Sequence, residues 1–291
     1  MILAYPFQSH EFCCRGYKLH YLDEGTGPPV LMLHGNPTWS FYFRNLVECL
    51  RPHARLIVPD HLGCGLSDVP RDADYDYQLH SRVEDIASLI EHLQIHMPIT
   101  LIAHDWGGMI GMAYACRYPE RFRRFVMLNT AAFLLPKGKT VPWQLRLART
   151  PGLGELLVRG LNLFVRGTLR MGCTTRRLPH DIKQAYLYPY RSWKRRRAVL
   201  RFVQDIPLTP EHPSYPLVQS TQDRLHLLRH LPMMLGWGMR DFVFDHVFLA
   251  EWQKYFPEAQ VHIFPEAGHW VLEDIPDKLL PLIKDFVTSQ P

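Results

Sequence analysis

Short apolar runs alternate along the chain with longer segments in which apolar residues recur at helical spacing. The runs at 29–33, 99–103 and 125–128 contain no charged residue and predict buried strands. The segments 79–93 and 276–287 repeat apolar residues every three or four positions and predict helices. Strands that alternate with helices in this way predict an α/β fold, a mostly parallel sheet with helices on both faces.

The same patterns predict the remaining elements of the sheet and its covering helices. Further strands are predicted at 17–22, 56–58, 232–235 and 261–264, and further helices at 40–50, 109–118 and 246–255. Ligands of such sheets bind beyond the carboxyl ends of the strands. The residues that directly follow these strands are therefore the first candidates for a functional site.

The alternation of strands and helices stops between 133 and 220. This region is basic and aromatic and is punctuated by Pro and Gly, which predicts a helical cap inserted over the site. We therefore expect a core domain formed by 1–132 and 221–291 and a cap domain formed by 133–220.

The predicted cap also carries most of the positive charge. It contains 16 basic and 4 acidic residues, whereas the rest of the chain contains 17 basic and 24 acidic residues. The densest basic stretch is 191–197. Such a stretch is either a solvated helix face or a surface that docks on an acidic partner, another subunit or an anionic membrane. The cap can therefore support a homo-oligomer or a multienzyme complex.

Composition excludes several classes of protein. No run of 18 uncharged apolar residues is present, so no transmembrane segment is expected. The segment 1–12 lacks the charged and apolar parts of a secretory signal. The six cysteines show no zinc spacing and are expected as free thiols, which predicts a cytoplasmic protein with no metal site. No pattern indicates a nucleic-acid-binding module.

Asp105 occupies the centre of a strand-to-helix turn flanked by small residues. Ala103 lies two positions before it and Gly107 two positions after it, the spacing of a nucleophile elbow. In that turn the central side chain projects over the sheet edge at a helix N-terminus, where backbone N–H groups favour an anion. A carboxylate there is a nucleophile that needs no base to create it. Taken alone, Asp105 would be better explained as a simple helix N-cap, and it is the partner residues below that favour the nucleophile.

Two further polar residues follow predicted strands in the order of a hydrolase triad. His269 comes after the last strand, between Gly268 and Trp270, and Asp241 comes after the strand at 232–235. The order nucleophile, acid, histidine is that of α/β-hydrolases. Asp245 competes with Asp241 as the acid, but Asp241 lies nearer the strand end. Together with Asp105 at the elbow, His269 and Asp241 form a candidate catalytic centre.

Three motifs resemble those of the haloalkane dehalogenases, which have an α/β-hydrolase fold. They are His-Gly-Asn-Pro-Thr at 34–38, Pro-Asp-His-Leu-Gly-Cys-Gly-Leu-Ser-Asp at 59–68 and His-Asp-Trp-Gly-Gly at 104–108. The resemblance covers nearly the whole chain, including the cap. It is closest to the subfamily with an Asp acid after the sixth core strand and an Asn–Trp halide pair.

The resemblance implies a role for each of five residues. Asp105 would be the nucleophile, His269 the base and Asp241 the acid, and Asn36 and Trp106 would bind the halide ion. The amide and indole N–H groups suit a departing halide. Displacement would leave an alkyl ester on the nucleophile, which water activated by the histidine would hydrolyse to an alcohol. The implied substrate is a small apolar halogenated alkane, and no metal or organic cofactor is implied.

Three other functions remain open for the same residues. Epoxide hydrolases share the Asp elbow and the 34–37 motif but need two cap tyrosines. The candidates are Tyr186, Tyr188, Tyr190 and Tyr215. The β-lactone decarboxylases of long-chain olefin synthesis resemble the same subfamily, and there Asp105 would attack a lipid-like lactone to give a cis-olefin and CO2. A non-catalytic binder is the third, which the complete set of five site residues disfavours. We place dehalogenation first.

Overall fold

An eight-stranded sheet runs through the middle of the computed structural model, which describes residues 5–289. The first four residues, part of the segment analysed for a secretory signal, lie outside the described chain. The strands are β1 (Ser9–Cys14), β2 (Tyr17–Glu24), β3 (Pro29–Leu33), β4 (Arg55–Pro59), β5 (Ile99–Asp105), β6 (Phe122–Thr130), β7 (Met233–Gly238) and β8 (Gln260–Phe264).

The strand order is β1-β2-β4-β3-β5-β6-β7-β8. Pairing is antiparallel between β1 and β2 and between β2 and β4, and parallel from β4 through β3 to β8. The prediction of a mostly parallel sheet is therefore confirmed. β1 was not predicted, because as an edge strand it has partly exposed residues and no apolar run.

Helices cover both faces of this sheet. They are α1 (Arg44–Leu50), α2 (Leu79–His92), α3 (Trp106–Arg117), α4 (Trp143–Arg149), α5 (Leu163–Met171), α6 (His180–Leu187), α7 (Arg197–Gln204), α8 (Tyr215–Arg224), α9 (His246–Tyr255), α10 (Val271–Asp274) and α11 (Pro276–Thr288). Each strand and helix predicted above is present, with ends that differ by a few residues. The predicted helix at 40–50 begins as a 3-10 turn, Ser40–Phe43, before α1.

Two apolar layers form the core, one on each side of the sheet. In β3, Leu31 and Leu33 belong to the layer that contains residues of α2 and α3, whereas Val30 and Met32 belong to the layer that contains residues of α1 and α11. All five residues of β3 are buried. A strand covered on both faces needs apolar side chains at successive positions, which explains why its sequence shows no polar alternation.

In the described chain, the segment between β6 and β7 contains helices and loops but no strand. The helical content of 133–220 agrees with a cap, but the division into a core and a cap at these boundaries stays a prediction. α8 crosses position 220 and packs against α3 of the core. None of the helices within residues 5–289 is long and apolar enough to span a bilayer.

Candidate active site

Asp105 lies at the sharp turn between β5 and α3. Its backbone has φ 50° and ψ −125°, a conformation that L-residues rarely adopt. Gly107 and Gly108 make the turn possible. A Cβ atom would lie 1.9 Å from the Leu33 carbonyl oxygen at Gly107 and 2.0 Å from the Thr130 Oγ1 at Gly108. The small residues seen in the sequence are therefore required by contact with β3 and β6.

The Asp105 carboxylate faces the cavity and is partly satisfied by the loop after β3. Its Oδ2 accepts a hydrogen bond of 3.0 Å from the Asn36 backbone N–H. Gly35 leaves room for this side chain, since a Cβ there would lie 2.4 Å from the Asp105 Cβ. This role of Gly35 was not predicted from the sequence. Its place in the motif at 34–38 could have indicated it. The carboxylate is thus held in place and remains open on the cavity side.

His269 lies between two carboxylates. Its Nδ1 is 2.7 Å from Asp241 Oδ2, and its Nε2 is 3.7 Å from Asp105 Oδ2. Burial favours the neutral ring, but the charges of Asp241 and Asp105 outweigh it and raise the pKa of His269 to about 10. The ring also stacks on Phe244, with centroids 5.8 Å apart. The raised pKa favours the imidazolium form of His269 at neutral pH.

Asp241 is fixed by neighbours at the ends of β6 and β7. Its Oδ2 accepts from the Asn129 Nδ2 at 3.0 Å, and its Oδ1 accepts from the Val243 N–H at 2.7 Å. Asn129 Oδ1 in turn accepts from the Gly238 N–H at 2.8 Å. No role was predicted for Asn129 from the sequence. Its place as a polar residue at the end of β6 could have marked it as a candidate site residue. Asn129 orients the carboxylate that orients the histidine.

Asp245, the competing acid, has a different position. Its Oδ1 accepts from the Val247 N–H at 3.1 Å and caps α9, and its Oδ2 forms an ion pair of 2.5 Å with Lys139 Nζ. The structure therefore brings Asp241, and not Asp245, to His269.

Asn36 and Trp106 line the cavity together with Asp105. The Asn36 Nδ2 donates to the Val199 carbonyl oxygen of α7 at 3.0 Å, so one of its two amide hydrogens is used by the cap. The ring of Trp106 packs 5.3 Å from that of Phe202, also in α7. The structure thus brings Asn36 and Trp106 beside Asp105, and both contact the same cap helix.

A cavity of about 380 Å³ extends from Asp105 outward between core and cap. Asn36, Asp105 and His269 lie at its inner end, and most of the remaining wall is apolar. Its volume is within the range of small-molecule sites. Within residues 5–289, no three His, Cys, Asp or Glu side chains are placed to hold a metal ion. The cavity suits an apolar ligand whose reactive carbon lies at the polar end.

The cap tyrosines proposed for epoxide opening are directed elsewhere. Tyr186 donates to Glu273 Oε1 at 2.5 Å, and Tyr190 donates to the Thr38 carbonyl oxygen at 3.3 Å. No tyrosine of the described chain lines the cavity. The site therefore lacks the hydroxyl groups that the epoxide hydrolase alternative requires.

The loop that carries His269 is tied to the cap through Asp274. Asp274 Oδ2 accepts from the Gly268 N–H at 2.7 Å and from the Thr174 N–H at 2.9 Å. Asp274 Oδ1 accepts from the Thr175 N–H at 2.8 Å. One carboxylate therefore joins the residue before His269 to the cap segment after α5.

The strained elbow, the Asp–His–Asp arrangement and the capped parallel sheet together define a class of protein. Residues 28–276 match the family described as alpha/beta hydrolase fold, and the chain belongs to this family. The match covers every strand from β3 to β8 and every candidate site residue.

Individual relatives of known name are similar to this chain over most of its length. The chain is 48% identical to a cis-3-alkyl-4-alkyloxetan-2-one decarboxylase of Shewanella oneidensis, covering 98% of this chain and 89% of that protein. A protein of the same name from Xanthomonas campestris pv. campestris is 44% identical, covering 95% and 94%. Haloalkane dehalogenase 2 of Mycobacterium bovis is 32% identical, covering 96% and 94%.

Solved structures show the same fold. The crystal structure of haloalkane dehalogenase DbeA from Bradyrhizobium elkani USDA94 superposes with a TM-score of 0.88 at 25% identity, covering 97% of both chains. The resemblance to haloalkane dehalogenases is therefore confirmed in fold and in sequence, and the decarboxylases named above are more similar in sequence than the dehalogenase.

Proposed function

We propose that the protein is a β-lactone decarboxylase that converts a cis-3-alkyl-4-alkyloxetan-2-one into a cis-olefin and CO2. The observation that carries this proposal is the 48% and 44% identity to the two decarboxylases, against 32% to the dehalogenase. It is supported by the apolar cavity that ends on the Asp105 carboxylate. Dehalogenation was placed first from the sequence, and the relatives favour the decarboxylase alternative instead.

The first step uses the same attack as carbon–halogen cleavage. An oxygen of Asp105 attacks the ring carbon C4, which bears an alkyl chain and the ring oxygen. The new Asp105 O–C4 bond forms as the C4–O1 bond breaks, and the electron pair leaves on O1. The product is an alkyl ester on Asp105 with a free carboxylate on C3. The N–H groups of Asn36 and Trp106 would hold that carboxylate.

The second step returns the enzyme without water. The C2–C3 bond breaks and releases CO2, its electron pair forms the C3=C4 double bond, and the C4–O bond to Asp105 breaks. Inversion at C4 in the attack, followed by loss of CO2 and carboxylate from opposite faces, converts a cis-lactone into a cis-olefin. No proton, oxidant or cofactor is consumed.

His269 acts in this sequence as a cation and not as a base. Its proton lies between Asp241 and Asp105, and its raised pKa keeps it charged at neutral pH. The imidazolium stabilises Asp105 as the leaving carboxylate of the second step. Hydrolysis of the alkyl ester formed in dehalogenation would require the neutral ring instead. That form becomes accessible once alkylation has removed the charge of Asp105.

Dehalogenation is the second candidate. The observation that favours it is the placement of the Asn36 and Trp106 donors beside Asp105, which suits a departing halide as well as a departing carboxylate. The two reactions differ in the fate of the ester. Water attacks the ester carbonyl after dehalogenation, so an oxygen of water enters the Asp105 side chain. Decarboxylation by the route above leaves the oxygens of Asp105 unchanged.

A substrate panel with Asp105→Ala tests the proposal. The enzyme is incubated with a long-chain cis-β-lactone, 1,2-dibromoethane and an alkyl epoxide, and olefin, bromide and diol are measured. We expect the lactone to be turned over fastest and Asp105→Ala to be inactive while still folded, with a cooperative thermal unfolding transition. Reactions in H2(18)O, followed by mass analysis of the Asp105 peptide, should show label only with the haloalkane. Exclusive turnover of 1,2-dibromoethane would overturn the proposal.

A further inference from the structure

Large apolar side chains surround the outer end of the cavity and are exposed to solvent. Their exposed fractions lie between 37% and 63%, and each also lines the cavity. They are Leu135, Trp143, Leu147, Leu163 and Met171. We call these five residues the apolar rim. A contiguous group of exposed apolar side chains around a cavity opening is typical of a surface that contacts another apolar phase.

Basic side chains accompany the apolar rim on both of its helices. In α4, Arg146 lies between Trp143 and Leu147, and in α5, Arg166 and Arg170 lie on the turns between the rim residues. All three arginines are exposed. In the part of the chain that the structure describes, the cap side chains in ion pairs are Lys139, Arg197 and Arg201. The arginines beside the apolar rim are thus left unpaired.

This arrangement matches an interfacial surface. A helix that lies in a membrane surface places apolar side chains among the acyl chains and lets arginine side chains extend to the phosphate groups. Both short helices of the rim repeat that pattern, with an arginine three residues after an exposed apolar side chain. The rest of the chain, with more acidic than basic residues, would be repelled by an anionic surface, which orients the cap toward it.

A second copy of the chain would fit the apolar rim less well than an anionic bilayer. A two-fold interface would bring the same surface of both copies together and place Arg146, Arg166 and Arg170 against their own equivalents. A protein partner seated on the apolar rim would also close the opening of the cavity. An anionic bilayer satisfies the charges and leaves the cavity in contact with an apolar phase.

We propose that the apolar rim and its three arginines dock on the surface of an anionic lipid bilayer, so that the cavity opens into the acyl region. A long-chain ligand then enters from the bilayer without crossing water. The identity of this ligand rests on the proposed function, whereas docking itself does not. The proposal places the partner of the site in the membrane surface rather than in another protein.

Sedimentation with lipid vesicles tests docking without reference to catalysis. The full chain is mixed with vesicles of phosphatidylcholine, with or without phosphatidylglycerol, at low and high salt. We expect binding to the anionic vesicles that weakens with salt. Neutralising an arginine, as in Arg166→Gln, should weaken partitioning about fivefold. Trp143→Ser should weaken it about tenfold and should do so at both salt concentrations.

Matched substitutions on the core serve as controls. Arg51→Gln and Met97→Ser remove an exposed arginine and an exposed apolar side chain away from the cap and should leave partitioning unchanged. Absence of wild-type binding to anionic vesicles would overturn the proposal, and so would equal effects of the rim and core substitutions. Dimers that Trp143→Ser dissociates, seen by analytical ultracentrifugation, would identify a second copy as the occupant instead. Turnover of detergent-dissolved lactone without vesicle binding would refute docking alone, and vesicle binding without lactone turnover would refute the proposed function alone.

Discussion

Replacing Asp241 by asparagine should change the charge of His269 while leaving its position intact. The amide has nearly the shape of the carboxylate, and its oxygen can still accept from the Nδ1–H. The variant loses a negative charge whose oxygen lies 2.7 Å from the ring nitrogen, and its amide nitrogen replaces the oxygen that accepts from the Val243 N–H. Burial, which favours the neutral ring, is then opposed mainly by Asp105. We therefore expect the pKa of His269 to fall in Asp241→Asn.

The size of the change follows from Coulomb's law. Charge centres about 4 Å apart interact by about 4 kcal/mol at an effective dielectric constant of about 20. That energy corresponds to a fall of about three in pKa, from about 10 in the wild type to roughly 7. At pH 9 roughly one ring in a hundred would then be protonated. About half of the rings would be protonated at pH 7, so, if the imidazolium is the active form, lactone turnover should drop about fiftyfold between pH 7 and pH 9 only in the variant.

NMR spectra of protein labelled with 15N histidine measure this directly. The His269 resonances are assigned from a His269→Gln variant and followed with pH in the wild type, Asp241→Asn and Asp245→Asn. Asp245→Asn is the matched control, because its carboxylate caps α9 and pairs with Lys139. A wild-type His269 that titrates near its ordinary value of 6.5, or one that is unaffected by Asp241→Asn, would refute the reasoning.

The same pKa predicts how stability depends on pH. The folded protein binds the His269 proton more tightly than the unfolded chain, whose pKa is 6.5. The stabilisation is therefore fully present below pH 6.5 and is lost as pH rises through about 10. It amounts to up to about 5 kcal/mol. Urea unfolding at pH 6 and pH 10 should show this loss, and His269→Gln should reduce it. A wild-type loss matched in full by the variant would contradict the assignment.

Two further predictions concern packing. Gly108→Ala should lower the free energy of unfolding by roughly 1–3 kcal/mol, because the new Cβ would lie 2.0 Å from Thr130 Oγ1. Gly167→Ala, whose nearest neighbour would be 3.6 Å away in a helix, should instead raise it by roughly 0.5–1 kcal/mol. Arg44→Met should cost about 3–5 kcal/mol, since it leaves the buried Glu273 carboxylate without its cation. Adding Glu273→Met should recover much of that loss. Calorimetry of the four variants checks these values, and equal unfolding temperatures for the two alanine variants, or for the single and double methionine variants, would contradict them.

Most of the fold could be predicted from sequence because the sheet is covered on both faces. Buried parallel strands such as β3 and β5 need uninterrupted apolar runs, and these runs stand out against polar loops. β1 escaped prediction because it pairs on one side only and has no such run. The predicted cap boundary at 220 falls within α8, Tyr215–Arg224, and the division into core and cap stays a prediction.

The candidate site could be predicted wherever a residue lies at the end of a strand or in the loop that follows it. Asp105 is the last residue of β5, and Asp241 and His269 lie in the loops after β7 and β8. The parallel sheet brings these strand ends to one edge. Asn129 and the Val199 carbonyl were missed for different reasons. Asn129 acts through another residue, and a backbone carbonyl has no signature in the sequence. Choosing between two reactions that use the same five side chains needed relatives, because both need the same nucleophile and the same donors.

The Asp274 carboxylate has a consequence for how ligands come and go. It grips backbone N–H groups of Thr174 and Thr175 on one side and of Gly268 on the other. If the cap moved as a hinge at this point, it would displace the neighbouring His269 imidazole and disturb its alignment with Asp105. Substrate and product are therefore expected to exchange through a fixed entrance, while the cap stays closed throughout each catalytic cycle.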